Sequence, residues 1–346
     1  MMRIFWFCVL LSSAYAISIE STFVQKRVIG GNDVQQHDYP WAASIKAINP
    51  KTKSVTYCGA TVIADKWLLT AAHCFWAGTK EKTHLMKPES WRIQAGSFDI
   101  ELGTKGVSHE ESIDQSSFQN ILEIIKEIYN ILSEWWKNRN NSTESKETGS
   151  FAESFFKFSN STKKKAKIVK ARAAKIILHP KYKPGNMIDD LEYDIALVKL
   201  TKQLTFNKEH ITLAKLPTAD QPEIWPPVRS RCTFVGWGCK KANGGPSSTA
   251  QVVALRVLPN EDCSELYNHG AGLNDEHEFC AGFYKSNVGI CAGDSGSGLI
   301  YLHDRQPVVV GVASATHGQY PADYPGLFTR VASFVDWITK TIEEEK

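Results

Sequence analysis

The chain has 346 residues, of which 42% are hydrophobic and 22% are charged. This balance is typical of a globular protein with a substantial core, built as one large unit or two small ones. The formal net charge of +3 is too small to indicate a protein that binds nucleic acid.

The N-terminus has the pattern of a secretory signal peptide. Arg3 precedes the apolar run Ile4–Leu11, and small residues follow up to Ala14-Tyr15-Ala16. The pattern predicts cleavage after Ala16, so residues 1–16 are expected to be removed and the protein to be secreted to the extracellular space. The alternative is a short buried strand. The run is too short to span a bilayer, and no later segment is long enough to do so.

A short polar segment, residues 17–27, ends in Lys26-Arg27 and precedes Val28-Ile29-Gly30-Gly31. Apolar and polar residues then alternate over residues 41–65, which predicts half-buried strands. His73 follows in Thr70-Ala71-Ala72-His73-Cys74, and residues 91–97 have the pattern of a further strand and turn.

Residues 104–166 depart from this strand pattern. Their apolar residues recur at helical spacing and predict an amphipathic helix from about Ser117 to Lys137. Glycosylation sequons at Asn140, Asn141 and Asn160 predict a surface position, and a basic run extends from Lys163 to Arg172. Three interpretations stay open: a surface elaboration that packs on its own domain, a flap or exosite that restricts substrates, or docking on a membrane or an acidic polysaccharide.

The strand pattern resumes at residues 174–180 and again at Tyr193–Leu200, where Asp194 stands at the start of the strand. Asp189, Asp190 and Glu192 are competing carboxylates. Four prolines between residues 217 and 227 indicate a linker between two halves, and residues 232–238 predict the first strand of the second half. Near the C-terminus, a helical spacing joins Val331, Val335, Ile338 and Ile342.

The glycine-rich stretch Cys291–Gly298 contains Ser295. A serine hydroxyl is a poor nucleophile until an imidazole accepts its proton, and the imidazole needs a carboxylate that fixes its tautomer. The chain carries these groups in the order His73, Asp194, Ser295. Their local sequences, Ala-Ala-His-Cys, Asp-Ile-Ala-Leu and Gly-Asp-Ser-Gly, resemble those of the chymotrypsin/trypsin family of serine proteases over about residues 28–103 and 167–342.

The resemblance implies an all-β fold with two antiparallel six-stranded β-barrels and a C-terminal helix. Residues 28–346 would form the protease domain, with residues 104–166 as a long helical insert in the first barrel. The implied activity is that of a serine endopeptidase, with polypeptide substrates and protein protease inhibitors as partners. It needs no cofactor and no metal.

The family's mechanism implies roles for individual residues. Ser295 would attack the scissile carbonyl, His73 would carry the proton, and Asp194 would orient His73. The backbone N–H groups of Gly293 and Ser295 would form the oxyanion hole. Ser314 matches the residue that supports the aspartate and binds the substrate backbone.

The resemblance also implies a zymogen. Cleavage after Arg27 would free an α-ammonium group on Val28, which would pair with the carboxylate of Asp294. A buried carboxylate without its partner is costly, so the loops around it should be displaced before cleavage. The alternative is that Lys26-Arg27 is an exposed basic pair.

Three positions would set the primary specificity pocket: Gly289 at its base, and Thr316 and Gly326 on its walls. An uncharged pocket narrowed by a threonine favours small or medium apolar residues before the scissile bond, with aromatic residues as the second choice. Asp323 lies near Gly326, and an acid in the pocket would instead give a trypsin-like preference for Lys and Arg.

The resemblance implies that two of the family's disulfides correspond to Cys58–Cys74 and Cys263–Cys280. Loss of Cys8 with the signal peptide would leave seven cysteines, an odd number. A Cys239–Cys291 bridge is the third expected pair, leaving Cys232 free or paired between molecules.

A rival hypothesis from a different functional class is an inactive homologue that acts as a binding or adaptor glycoprotein, although His73, Asp194 and Ser295 are all present.

Overall fold

The computed structural model describes residues 29–34, 38–76, 80–96, 98–100, 169–183, 192–207, 210–218, 225–242, 244–267 and 273–346. Several expectations lie outside these ranges and stay predictions: the signal peptide 1–16, the activation segment 17–27 with Arg27, Val28, and the insert 104–166 with its helix at Ser117–Lys137 and its sequons at Asn140, Asn141 and Asn160.

The first half of the chain forms a closed antiparallel barrel. Its six strands pair in the ring order β2-β3-β4-β7-β6-β5, and they are β2 (Ala42–Ile48), β3 (Val55–Ala64), β4 (Trp67–Thr70), β5 (Trp91–Ala95), β6 (Val169–Leu178) and β7 (Ala196–Leu200). Strand β5 shows why this sequence makes a barrel wall. Trp91, Ile93 and Ala95 are buried while Arg92 and Gln94 are half-buried on the other face, because side chains alternate across a strand.

The second half supplies six more strands: β8 (Arg231–Gly236), β9 (Gln251–Arg256), β10 (Glu278–Ala281), β11 (Gly298–His303), β12 (Gln306–Ala315) and β13 (Gly326–Arg330). They pair antiparallel in the order β9-β8-β11-β12-β13-β10, and the short β1 (Asn32–Asp33) is added beside β9. A bridge between Val257 and Ala281 brings the ends of β9 and β10 together, so the sheet curls round on itself.

In the part of the chain that the structure describes, two α-helices accompany the sheets, α1 (Asn260–Tyr267) and α2 (Val335–Glu344). The predicted C-terminal helix is thus present, and its Ile338 is fully buried. In the described ranges no helix combines the length and the apolar character needed to cross a bilayer. The prediction of a trypsin-like β fold with a C-terminal helix is confirmed, with the first half forming a closed barrel and the second half a half-barrel.

The two sheets meet where the predicted motifs lie. Strands β3 and β4 of the first barrel contact β11 and β12 of the second sheet. The histidine motif follows β4, the aspartate precedes β7, and the serine precedes β11. The ends of strands from both halves therefore place all three motifs around one region.

Candidate active site

The central feature of this region is a hydrogen-bonded ion pair between His73 and Asp194. Asp194 is 2% exposed, and its Oδ2 lies 2.6 Å from His73 Nδ1. The backbone N–H of His73 also donates to Asp194 Oδ1 at 2.8 Å. The pairing of β4 with β7, with Thr70 opposite Ala196, explains this meeting, because His73 lies just beyond one strand and Asp194 just before the other.

Two hydroxyl groups donate hydrogen bonds to Asp194 and hold it in place. Ser314 Oγ donates to Asp194 Oδ2 at 2.6 Å, and Thr329 Oγ1 donates to the main-chain oxygen of Asp194 at 2.9 Å. Ser314 was expected here from the sequence. Thr329 was not, because a threonine in a strand carries no signature of a contact made by tertiary structure alone.

The pair shifts the protonation equilibrium of both partners. Burial disfavours the charged carboxylate, but His73 and the hydrogen bonds from His73 and Ser314 outweigh burial and lower the pKa of Asp194. Burial likewise disfavours the imidazolium, yet Asp194 raises the pKa of His73 above its ordinary value. The side chain of His73 is 26% exposed, so the ring is open to an incoming substrate while its Nδ1 edge is held.

Ser295 lies in a tight turn packed against the histidine segment. Its main-chain oxygen accepts a hydrogen bond from the N–H of Gly59 at 2.8 Å. The next residue, Gly296, has φ +79°, and a Cβ there would lie 2.1 Å from Thr70 Oγ1. Only glycine, which has no Cβ, lets the backbone at residue 296 lie this close to Thr70. Among the described residues, Ser295 Oγ makes no hydrogen bond to the His73 ring, and such bonds are often long or poorly aligned in unliganded enzymes.

The turn at Ser295 contains the backbone N–H groups of Gly293 and Ser295. Gly293 has φ +100°, a conformation that L-residues with a side chain rarely adopt. Within the described ranges, neither the N–H of Gly293 nor that of Ser295 donates a hydrogen bond. These are the two donors that the sequence assigns to an oxyanion hole.

Asp294, between these two residues, is fully buried. Its carboxylate accepts hydrogen bonds from the N–H of Gly238 and the N–H of Cys291, both at 2.8 Å. Burial raises the pKa of Asp294 to about 7, although both N–H groups lower it in part. In the described part of the chain no cation pairs with this carboxylate. Val28, the partner expected from the sequence, lies outside it.

Disulfides tie these segments together. The structure joins Cys58 to Cys74, Cys239 to Cys291 and Cys263 to Cys280, which are the three pairs expected. The first bridge lies beside His73 and the second lies beside Asp294. Cys232 is a free, buried thiol, and burial raises its pKa to about 12.

The three expected pocket positions lie on adjoining segments. Thr316 follows β12, Gly326 begins β13, and the N–H of Gly289 donates to the main-chain oxygen of Ile29 at 3.0 Å. Asp323 lies in the loop between the two strands, where its main-chain oxygen accepts a hydrogen bond from the N–H of Lys285 at 2.8 Å.

Ile290 was missed by the sequence reasoning. Its side chain is 3% exposed, and its Cδ1 lies 2.6 Å from where a Cβ on Gly326 would be. An isoleucine side chain therefore packs against the glycine wall. The only signal in the sequence was its position directly after Gly289.

Comparison with known protein families matches residues 28–116 and 151–338 to the family described as Trypsin. A curated relative, "Transmembrane protease serine 9" of Rattus norvegicus, is 26% identical over 328 residues, which cover 92% of this chain and 22% of the relative. The chain thus spans about a fifth of that relative's length. The family match covers most of the chain and agrees with the fold and with the positions of the three motifs, so the protein belongs to the trypsin family of serine proteases.

Proposed function

We propose that this protein is an active serine endopeptidase that hydrolyses peptide bonds through an acyl-enzyme. The observation that carries the proposal is the buried His73–Asp194 pair, with Nδ1 and Oδ2 2.6 Å apart, beside a turn that holds Ser295 and two unbonded N–H groups. This arrangement supplies a nucleophile, a base with a fixed orientation and donors for an oxyanion.

The proposed reaction assigns a role to each chemical group of the site. Ser295 Oγ attacks the scissile carbonyl while His73 Nε2 accepts its proton. The carbonyl oxygen gains charge and is stabilised by the N–H groups of Gly293 and Ser295, and removal of one such donor typically costs about 3 kcal/mol. The imidazolium then gives its proton to the leaving amine. Water deacylates the enzyme by the same route, with His73 again the base.

Asp194 acts through His73. Its carboxylate holds the proton on Nδ1 and leaves Nε2 as the acceptor. Because it also stabilises the imidazolium, activity should rise with pH through a pKa that lies above the ordinary value of histidine. Ser314 and Thr329 hold the aspartate in place and are positioning residues.

We infer that the chain is secreted and made as a zymogen. Residues 1–16 act as the signal peptide, residues 17–27 as the propeptide, and cleavage after Arg27 frees the ammonium of Val28 for Asp294. What supports this is the setting of Asp294, whose carboxylate is buried directly before Ser295 and held by two N–H groups. Glycans at Asn140, Asn141 and Asn160 complete the proposed extracellular form.

The proposed preference is for small or medium apolar residues before the scissile bond. Gly289, Thr316 and Gly326 provide no charge for a basic side chain, and desolvating an unpaired cation is costly. On this proposal Ile290, which packs against Gly326, also narrows the pocket against an aromatic ring. Cleavage is expected after Ala, Val or Leu, weakly after Phe or Tyr, and hardly at all after Lys or Arg.

Labelling with an organophosphonate tests the activity directly. After cleavage at Arg27, the protein should bind one equivalent at Ser295, and the Ser295→Ala variant should bind none. A peptide library on the same material then tests specificity, and Ile290→Ala should raise the rate after Phe relative to the rate after Ala. If the folded, cleaved protein is not labelled, the result favours an inactive homologue. If the protein cleaves efficiently after Arg, the result implicates Asp323 in the specificity pocket.

A further inference from the structure

Tyr193 directly precedes Asp194 and has a backbone conformation that bulky residues rarely adopt. Its φ is +61°, in the left-handed region that a large side chain disfavours. Seven non-glycine residues have a positive φ in the part of the chain that the structure describes; six of them are exposed, and only Tyr193 is partly buried. A conformation of this kind persists only where its surroundings hold it, and it is often found beside functional residues.

The left-handed residue leads into a tight turn centred on Asp194. The N–H of Ile195 donates to the main-chain oxygen of Tyr193 at 2.7 Å, which closes a three-residue turn. The N–H of His179 donates to the main-chain oxygen of Ile195 at 3.1 Å and ties the far side of the turn to the end of β6. The conformation of Tyr193 thus sets the direction in which the chain enters the turn that carries Asp194.

Three aromatic rings surround the side chain of Tyr193. The ring of His179 is stacked on it, with centroids 5.0 Å apart and planes inclined by 8°. The rings of His277 and Phe334 approach it with centroid distances of 4.6 Å and 5.8 Å. We call His179, His277 and Phe334 the aromatic cluster. Its members come from the end of β6, the start of β10 and the segment before α2, so three distant parts of the chain fix one ring.

The aromatic cluster is itself buried and held in place. His179 and His277 are 9% and 8% exposed, and the N–H of Lys181 donates to His179 Nδ1 at 3.3 Å. Burial, Lys181 and His277 lower the pKa of His179 to about 4, so the ring stacked on Tyr193 is neutral at the pH where a protease of this kind works. The charged groups nearest the two stacked rings are Lys181, with Nζ 5.2 Å from the centroid of the Tyr193 ring, and Glu276, 3.6 Å from His277 Nε2.

We propose that Tyr193 is a positioning residue for the His73–Asp194 pair. The aromatic cluster holds its ring, the ring keeps its backbone in the left-handed conformation, and this conformation aims the turn so that Asp194 reaches His73 Nδ1. The inference rests on the proposed endopeptidase function. Ser314 and Thr329 bind Asp194 itself, whereas Tyr193 acts on the segment that carries Asp194.

Tyr193→Gly tests the role of the ring. Glycine adopts a positive φ without a penalty, so this variant loses the ring while the left-handed conformation stays accessible. In the full chain cleaved after Arg27, kcat should fall by about tenfold and KM should stay unchanged, because orientation of the base acts on the transition state. Tyr193→Phe keeps the ring and should rescue kcat to within about twofold of the wild-type value. An unchanged kcat in Tyr193→Gly, or an equal loss in Tyr193→Phe, would overturn the inference.

A double variant tests whether the aromatic cluster acts through Tyr193. His179→Ala removes the stacked ring and should lower kcat by a smaller factor than Tyr193→Gly does. Adding His179→Ala to Tyr193→Gly should cause no further loss, because two residues that act through one contact are not additive. Losses that multiply in the double variant would show that His179 affects the rate by another route, and the inference would fail.

Val253→Ala is the control for a general loss of stability. Val253 is buried in the core of the second half, away from the aromatic cluster. Its truncation should lower the melting temperature and leave kcat unchanged. If Tyr193→Gly does not fold, His179→Ala is compared with this control instead. If Val253→Ala lowers kcat as much as the variant it is compared with, the effect is one of stability and the inference is wrong.

Proton NMR of the cleaved Ser295→Ala protein separates this inference from the proposed function. The proton on His73 Nδ1 lies in a charge-assisted hydrogen bond of 2.6 Å, so its signal should lie downfield of the backbone amide signals. Tyr193→Gly should shift this signal upfield or remove it by exchange with water, whereas Tyr193→Phe and Val253→Ala should keep it. If the wild-type protein neither cleaves peptides nor reacts with the phosphonate, the proposed function fails while this signal still decides the role of Tyr193. An unchanged signal in Tyr193→Gly would show that Asp194 is held without the ring, and the inference would be wrong.

Discussion

Two buried carboxylates of the candidate site show how environment sets the behaviour of a single residue. Asp194 and Asp294 are both buried, but Asp194 faces His73 and has its pKa lowered. Within the described ranges Asp294 is held by backbone N–H groups alone, and burial raises its pKa to about 7. The difference is one neighbouring cation. Burial alone disfavours the charged form of a carboxylate, and an adjacent positive charge reverses that effect.

Asp194→Asn should change both the rate and its pH dependence. The amide cannot stabilise the imidazolium or hold its tautomer, and in related proteases the same change lowers kcat by about 10⁴. Because Asp194 raises the pKa of His73, its loss should move the midpoint of the remaining kcat/KM profile to lower pH. Stopped-time assays between pH 5 and 9 measure this. Glu276→Gln, at an exposed carboxylate, is the control and should leave the midpoint in place. An unmoved midpoint in Asp194→Asn would contradict the role given to the pair.

Ser297→Ala should raise the free energy of unfolding. The hydroxyl of Ser297 is buried and, in the described part of the protein, has no hydrogen-bond partner. A buried unsatisfied polar group costs about 1–3 kcal/mol. Thr329→Val makes the matched comparison, because that buried hydroxyl donates to Asp194 and its loss should lower stability by about 1 kcal/mol. Urea unfolding of both variants in a Ser295→Ala background measures the change in the free energy of unfolding for each. If Ser297→Ala lowers that free energy, the hydroxyl of Ser297 has a hydrogen-bond partner in the folded protein.

At the scale of elements, the turn Cys291–Ser297 depends on contacts from three directions. Gly59 of β3 binds its Ser295, Gly238 after β8 binds its Asp294, and Cys239 is bonded to Cys291. The turn thus joins both halves of the chain. A change in any of these segments should displace Ser295. In this way, cleavage at a distant site would control activity.

The uncut chain should therefore lose stability as pH rises from about 4 to 7. The folded-state pKa of Asp294 is raised to about 7, so the unfolded chain releases its proton first and ionisation favours unfolding across that interval. Below it the group is protonated in both states and has no effect. Asp294→Asn should flatten this slope, and so should cleavage after Arg27, because the new ammonium stabilises the carboxylate.

Melting temperatures of uncut and cut Ser295→Ala protein between pH 4 and 8 test this. The cut protein should melt higher than the uncut protein at pH 8, and the gap should close towards pH 4. Asp275→Asn, on a carboxylate away from the turn, should not alter the slope of the uncut chain. Parallel curves for uncut and cut protein would contradict the proposed activation mechanism.

At a larger scale, the apolar core of the first barrel takes side chains from both halves of the chain, while the second half also has a core of its own. The cluster inside the first barrel includes Ile300, Val309 and Val312 from the second sheet, and Phe334 and Ile338 from the C-terminal segment. The C-terminal segment of the chain thus packs against the first barrel and completes its core. This continuity keeps the two walls of the candidate site in a fixed relation.

Ile338→Ala should destabilise both halves together. The side chain is fully buried, and such truncations cost about 2–5 kcal/mol. Because the helix links the end of the second half to the first barrel, unfolding should remain a single transition at a lower temperature. Thr339→Ala, on the exposed side of the helix, should shift stability by less than about 0.5 kcal/mol. Two separated transitions in Ile338→Ala would show that the shared core does not couple the halves.

The sequence alone determined the fold class and the family, because these depend on local signals. Alternation in residues 41–65 and the motifs around His73, Asp194 and Ser295 are each readable within a few positions. The C-terminal helix lies where its pattern placed it, whereas β6 begins at Val169, earlier than the strand pattern at residues 174–180 predicted. The expected disulfide partners also coincide with the bridges in the structure. The assigned roles in catalysis, activation and specificity stay predictions for the experiments above.

Only the tertiary structure decided which distant residues share a face. The bond from Thr329 to Asp194 and the contact of Ile290 with Gly326 both depend on how distant strands are placed side by side. A slip of one residue in any pairing would turn those side chains to the other face. Register is set by contacts between segments far apart in the chain, so no local pattern carries it.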